Sequence, residues 1–132
     1  MSELKVEIVT PDGIVYSGEV RSCTAPGDGG QFQILSGHAA FLSNLKIGEI
    51  KIEGADGIKI LATNGGFLEV KDNVVSIVVE TAEIAGEIDT DRAVAAAERA
   101  RKRLSEKKDV DLLRVEYALA RALNRLKIAS HI

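Results

Sequence analysis

Six arginines in the last third of the chain have types and spacing that could do chemistry. Arg92, Arg99 and Arg103 stand at i, i+7 and i+11, and Arg114, Arg121 and Arg125 repeat that spacing. On an α-helix such positions share one face, so two antiparallel helices could turn two guanidinium rows toward one ligand. A guanidinium is a planar fork of N–H donors that stays charged, and phosphate oxygens accept its paired bonds. The alternative is a solvated basic face held by pairs such as Glu98–Lys102 at i, i+4. Spacing alone leaves both readings open.

Other chemistry finds less material. His38 and His131 are the only histidines, too far apart in sequence to suggest a metal site or a Ser-His-Asp arrangement. No lysine is followed by Ser or Thr, which excludes a Walker A loop. Gly27-Asp28-Gly29-Gly30 follows Pro26 and precedes a strand pattern, so it reads as a turn and not as a phosphate cradle. Cys23, the single cysteine, lies in an alternating apolar stretch and is expected in the core; it forms no internal disulfide and no cysteine metal cluster. Asp89 occupies a helix N-cap position whatever else it does, and Glu83 reads by itself as a solvated acid. No catalytic site can be assembled, and the chain is not expected to be an enzyme.

The elements that must position the arginines divide at one place. All 12 glycines and both prolines lie between Pro11 and Gly86, and none follows. Residues 1–87 carry 6 basic and 13 acidic side chains, net −7; residues 88–132 carry 11 and 7, net +4. An overall charge of −3 gives no general pull toward nucleic acid. The Met-Ser-Glu-Leu-Lys start has no apolar h-region, and the longest uncharged run, Gly29 to Leu45, is too short and too polar to span a bilayer. A soluble or peripheral protein is expected. With only 4% aromatics, Val, Ile, Leu and Ala must build the core.

The first part predicts short strands at Leu4–Thr10, Ile14–Ser17, Glu19–Ala25, Gln31–Ile34, Gly48–Glu53, Ile58–Thr63, Phe67–Val70 and Val74–Val79. Turn clusters separate them, with Asn64-Gly65 the best hairpin candidate. Such spacing argues for a β-sandwich or barrel. From Ile88 the period becomes helical. Ala93, Ala97, Ala100 and Leu104 form one stripe, and Ser105–Asp109 is a polar break. A second helix is expected from about Val110 to Ala129, with its stripe on Leu112, Leu119, Leu123 and Leu126, interrupted by Glu116 and flanked by Val115 and Ala122. The pattern predicts alanine facing leucine in a thinly packed antiparallel hairpin. The expected domains are 1–86, a β-sandwich, and 87–132, a helical hairpin.

Three stretches carry a family resemblance. Gln31–Ala39 (Gln-Phe-Gln-Ile-Leu-Ser-Gly-His-Ala), Gly65–Val70 (Gly-Gly-Phe-Leu-Glu-Val) and Ile88–Ala93 (Ile-Asp-Thr-Asp-Arg-Ala) resemble the epsilon subunit of bacterial F-type ATP synthase. Thr10-Pro11-Asp12-Gly13 with Val15-Tyr16 fits as well, so the likeness runs in order through essentially the whole chain. One departure is Ser36, where the family usually has proline, a change expected to loosen one loop. The resemblance implies an all-β N-terminal sandwich of about ten strands followed by the C-terminal α-helical hairpin. It implies a rotor subunit that binds gamma at the foot of the central stalk and touches the membrane ring of c subunits through the region of Asp28, Gln31, Phe32 and His38. It further implies a hairpin that permits ATP hydrolysis when folded down. When extended along gamma into the alpha and beta subunits of the catalytic head, that hairpin would inhibit hydrolysis. The implied location is peripheral, on the cytoplasmic face of a bacterial membrane.

In some members, notably of bacilli, the folded hairpin binds ATP through an Ile/Leu-Asp-x-x-Arg-Ala motif and arginines on both helices. Ile88, Asp89, Arg92 and Ala93 match that motif, and Glu83 and Arg99 fall at matching positions around it. Ala118–Leu126 resembles the arginine-bearing segment of those members, which carries Arg121 and Arg125 over as phosphate contacts. ATP, with or without Mg²⁺, is therefore the implied ligand, with Ile88 through Ala93 at its adenosine end. Two other readings stay in view: the same subunit as an interaction adaptor with no ligand, and an unrelated β-sandwich with a basic tail for nucleic acid. Against the last stand the net charge and the lack of exposed-aromatic patterning.

Overall fold

The computed structural model describes residues 4–106 and 112–130. The expected loop residues Lys107–Asp109, the helix start near Val110, and His131 lie outside the described residues. The chain divides into two compact units, Met1–Ile84 and Ala85–Ile132.

The first unit consists of ten strands: β1 Leu4–Thr10, β2 Gly13–Val20, β3 Ser22–Gly27, β4 Gly30–Leu35, β5 Phe41–Leu45, β6 Gly48–Gly54, β7 Gly57–Thr63, β8 Gly66–Lys71, β9 Val74–Val79 and β10 Ala82–Ile84. The pairing order is β10-β7-β6-β3-β5-β8-β9-β1-β2, with β4 on the other edge of β3. All pairs are antiparallel except β1 with β9. Strand β3 holds the sheet together where it turns. Ser22–Thr24 pairs with β6, whereas Gly27 pairs with Leu45 of β5. Alternation does the rest: Leu4, Val6 and Ile8 of β1, Ile50 and Ile52 of β6, Leu68 and Val70 of β8, and Val75 and Ile77 of β9 all point inward and are buried. Each such side chain contributes roughly 1.5–3 kcal/mol, which is how a unit so poor in aromatics holds a core.

Pattern reading missed β5 and β10, which only the family resemblance implied. β5 shows no clean alternation, since Phe41 and Leu42 are both exposed, and β10 has three residues. The break expected at Gly18 is absent: β2 runs through it, and the chain turns at Arg21 instead. Asn64-Gly65 is not a hairpin turn. β7 pairs with β6 and β10, and β8 with β5 and β9, so this segment crosses between strands that are not partners. Its glycines serve close approach: a Cβ on Gly66 would run into the Val78 carbonyl oxygen. The two-residue hairpins are Pro11-Asp12, Asp28-Gly29, Ala55-Asp56 and Asp72-Asn73. At the last, both residues have positive φ, 50° and 63°, as a type I′ turn requires.

The second unit opens with a 3₁₀ turn, Ala85–Glu87, followed by α1 (Thr90–Glu106) and α2 (Leu112–Ala129). The 3₁₀ turn contacts α2, which draws it into the helical unit. The Asp89 carboxylate accepts the Arg92 N–H at 3.0 Å, so Asp89 is the N-cap of α1. The expected polar break begins late, since Ser105 and Glu106 still belong to α1. Ala93, Ala97 and Ala100 are buried and Leu104 is half-buried, as the stripe predicts. The stripe of α2 does not lie where expected. Val115, Ala122 and Ile128 are buried, while Leu112 and Leu123 are exposed. The flanking Val115 and Ala122 lie on the inward face with Ile128, and Leu119 and Leu126 of the expected stripe are half-buried beside them. No described helix is long and apolar enough to cross a membrane.

Cys23 is fully buried in the core, as expected. Burial disfavours its thiolate and pushes the thiol from its ordinary 9.0 up to about 12. The folded state therefore holds this proton more tightly than the unfolded chain. The resulting stability is complete below the ordinary value and is lost as pH rises from 9.0 through about 12. Urea denaturation across that window should show a decline that is shallower in Cys23→Ala than in the parent chain. Equal slopes in both would mean that the thiol does not contribute. Gly66→Ala is expected to cost about 3 kcal/mol or more. Gly29→Ala, in open space at a hairpin tip, should stay within about 0.5 kcal/mol of the parent when both glycine variants are compared by urea denaturation.

Candidate functional site

Between α1 and α2 runs a groove of about 680 Å³. Its floor is small and apolar: Ala96 and Ala100 from α1, and Val115, Ala118 and Ala122 from α2. Its walls are Arg99 and Arg103 from one helix and Arg114, Arg121 and Arg125 from the other. Among the described residues that line it, there are five guanidiniums and no carboxylate. The small floor explains why the arginines can converge, because alanine leaves the space above it open to the long side chains alongside. Like charges gathered in this way repel one another. The arrangement is suited to an anion with several oxygens, each accepting paired N–H bonds.

The two rows converge, but not all six arginines take part. Arg92 lies one turn before the groove and is not among its lining residues; its backbone N–H is engaged by the Asp89 cap. Ile88 and Ala93 are buried and Asp89 is exposed, and none of the three lines the groove. Glu83 lies on β10 of the first unit, half-buried and opposite Ala62 of β7. The groove thus gathers Arg99, Arg121 and Arg125 from the expected set. It adds Arg103 and Arg114, which had been noted in the rows but not assigned to a ligand. The pair expected between Glu98 and Lys102 is made instead with Arg101, at 3.1 Å. Glu98 thereby engages an arginine outside the groove lining. No group of three or more His, Cys, Asp or Glu that could hold a metal ion occurs among the described residues.

The second candidate region lies at one end of the sandwich unit. Asp28 is at the exposed β3–β4 tip, and Gln31 is exposed on β4. Phe32 packs edge-on against Phe41 at 5.3 Å, and the His38 ring meets the same Phe41 at 5.6 Å. Ser36 does not leave its loop loose. The Asn73 side chain donates to Ser36 Oγ at 3.1 Å and accepts from the Gly37 N–H at 2.7 Å, tying the loop to the β8–β9 turn.

Sequence reading missed a third feature. Phe67 pairs with Val78, Val78 with Val9, and Val9 with Ile14. Paired residues share a face, so these four form one apolar row across β8, β9, β1 and β2. Leu42 stands on the same face of β5, two residues from Asn44, the partner of Phe67. Phe67 is 56% exposed, Val78 53%, Ile14 64% and Leu42 69%, so the outer face of this sheet presents hydrophobic surface to solvent. The signal was present in β9, where Val74 and Val78 are apolar as well as Val75, Ile77 and Val79. A strand that is apolar at both parities has two faces to cover.

Residues 3–85 match the family model of the ATP synthase delta/epsilon chain β-sandwich domain, and residues 87–130 match that of its long α-helix domain. The chain is 41% identical over 130 residues to the ATP synthase epsilon chain of Bacillus licheniformis, covering 98% of this chain and 99% of that one. It is 48% identical over 130 residues to the epsilon chain of Geobacter sulfurreducens, covering 96% and 94%. A chain in the structure of the Euglena gracilis mitochondrial ATP synthase shares the fold, with a TM-score of 0.78 at 22% identity, covering 100% of this chain and 83% of that one. Two matched domains in order and full-length relatives on both sides leave one assignment: this chain belongs to the epsilon-chain family of ATP synthase.

Proposed function

We propose that this chain is a non-catalytic central-stalk subunit, and that its hairpin is a nucleotide-responsive brake on ATP hydrolysis. The observation that carries the ligand reading is the groove in which arginines of both helices stand over an alanine floor. ATP held there, with or without Mg²⁺, would link α1 to α2 and add stability only to the closed hairpin. At a concentration 100 times its dissociation constant, a ligand bound to one state contributes about 2.7 kcal/mol to that state. When ATP falls, the hairpin is released to extend along gamma toward the alpha and beta subunits. Arg99, Arg121 and Arg125 would hold phosphates. Ile88 through Ala93 would serve the adenosine end. The working location is the cytoplasmic face of a bacterial membrane, peripheral to it.

The sandwich would do the coupling. The row Ile14–Val9–Val78–Phe67 with Leu42 suits gamma, because a stable rotor contact must bury apolar surface. The end that carries Asp28, Gln31, Phe32 and His38 is assigned to the ring of c subunits, following the family resemblance.

Titration calorimetry of the full chain should give saturable one-to-one ATP binding, weakened about tenfold or more in Arg99→Ala and Arg121→Ala. Absence of binding in the parent chain would leave a coupling adaptor whose arginines serve protein contacts. At Asp89 two roles separate. Asp89→Asn keeps the cap, while Asp89→Ala loses about 1 kcal/mol of helix stability; a ligand role weakens ATP binding in both. Phe67→Glu and Val78→Glu should reduce the affinity for purified gamma about tenfold or more without lowering the melting temperature. Unchanged affinity in both would move the gamma contact off this face.

A further inference from the structure

The groove is longer and more basic than a nucleotide's phosphates require. Its α2 wall runs from Arg114 to Arg125, about 16 Å of helix at 1.5 Å per residue. Arg103 stands in the last turn of α1 and Arg114 in the first turn of α2. A cation in the first turn of a helix lies against the positive end of the helix dipole, so the dipole does not favour Arg114 there. The lining contains nothing specific to a base: apart from the five guanidiniums it is four alanines and a valine. An unbroken row of phosphates can reach guanidiniums at both ends of the groove, whereas a nucleotide brings only three phosphates.

We propose that the groove binds linear polyphosphate anions, with Arg103 and Arg114 extending the phosphate row beyond the reach of a triphosphate. This rests on the reading of the groove as a phosphate site, though not on the nucleotide being its ligand. A polyphosphate chain would engage both ends of the groove at once, and it would compete with ATP for Arg99, Arg121 and Arg125. Hairpin closure then responds to the cell's store of condensed phosphate as well as to its nucleotide.

The test is calorimetric titration of the full chain with ATP, with inorganic tripolyphosphate, and with linear polyphosphate long enough to span the groove. The long chain is expected to bind about tenfold more tightly than tripolyphosphate and to displace ATP. Arg103→Ala and Arg114→Ala should each remove most of that advantage while ATP affinity stays within about threefold. Each should also reduce the slope of log affinity against log salt by about 1. Arg103→Lys, which keeps the charge and the fold but loses the fork, should fall in between. If long polyphosphate binds no better than tripolyphosphate while ATP binds normally, this inference fails and the nucleotide reading stands. If polyphosphate binds and ATP does not, the reverse holds. Failure of all three anions sinks both. A single-stranded oligonucleotide of matched charge that binds as tightly as polyphosphate would reduce the site to general charge attraction and overturn the proposal.

Discussion

The sandwich depends on one strand being shared between two sheets. β3 pairs along one edge with β4, and along the other first with β6 and then, at Gly27, with β5. Gly27, where the switch falls, is bare because its β4 neighbours on the other edge leave no room for a side chain. A Cβ at Gly27 would lie 2.8 Å from the Phe32 ring and 2.9 Å from the Gly30 carbonyl oxygen. With the two sheets hinged there, the aliphatic residues of β1, β6, β8 and β9 face one another across the interior, and the outer faces follow from the pleat. The apolar row on one outer face and the aromatic cluster beside the β3–β4 tip are thus positioned by the same backbone switch.

Strand composition was legible wherever one face was apolar and the other polar. β1, β6 and β8 could be read from alternation, β9 as an apolar run between turns, and Cys23 could be placed inside from its neighbours. β5 could not, because Phe41-Leu42-Ser43-Asn44-Leu45 sets apolar beside apolar and polar beside polar, with no alternation to read. The Asn64-Gly65 segment misled for a different reason. An Asn-Gly pair is shaped for positive φ, and positive φ is what the chain uses at Gly65, 111°. It serves there to pass Leu45 closely, not to reverse direction. Local turn chemistry reports backbone conformation; which strands meet is decided elsewhere.

For the helical unit, the arginine spacing was the most informative signal, though by itself it left a converging site and a solvated basic face both open. What spacing could not show was which leucines face inward. With Leu at positions 112, 113, 119, 123 and 126, several stripes fit α2. The choice among them falls to the partner helix, whose alanines admit Val115 and Ala122 and leave Leu112 and Leu123 outside. Asp89 was legible as a cap from its place before the first helical turn. Arg92 keeps the spacing of Arg99 and Arg103, but the groove itself begins a turn further on.

The alanine seam of α1 has a mechanical consequence. Ala93, Ala97 and Ala100 present the same small side chain to the partner on successive turns. Within that run a one-turn slide would set alanine where alanine was, and only Leu104, at the end of the stripe, would register the shift by its size. Longer side chains would have interlocked like cogs. What discriminates is the phase of the charges, because the two guanidinium rows lie opposite each other in some settings and interleave in others. The hairpin therefore behaves as a vernier, with its smooth scale in the seam and its graduations in the arginines.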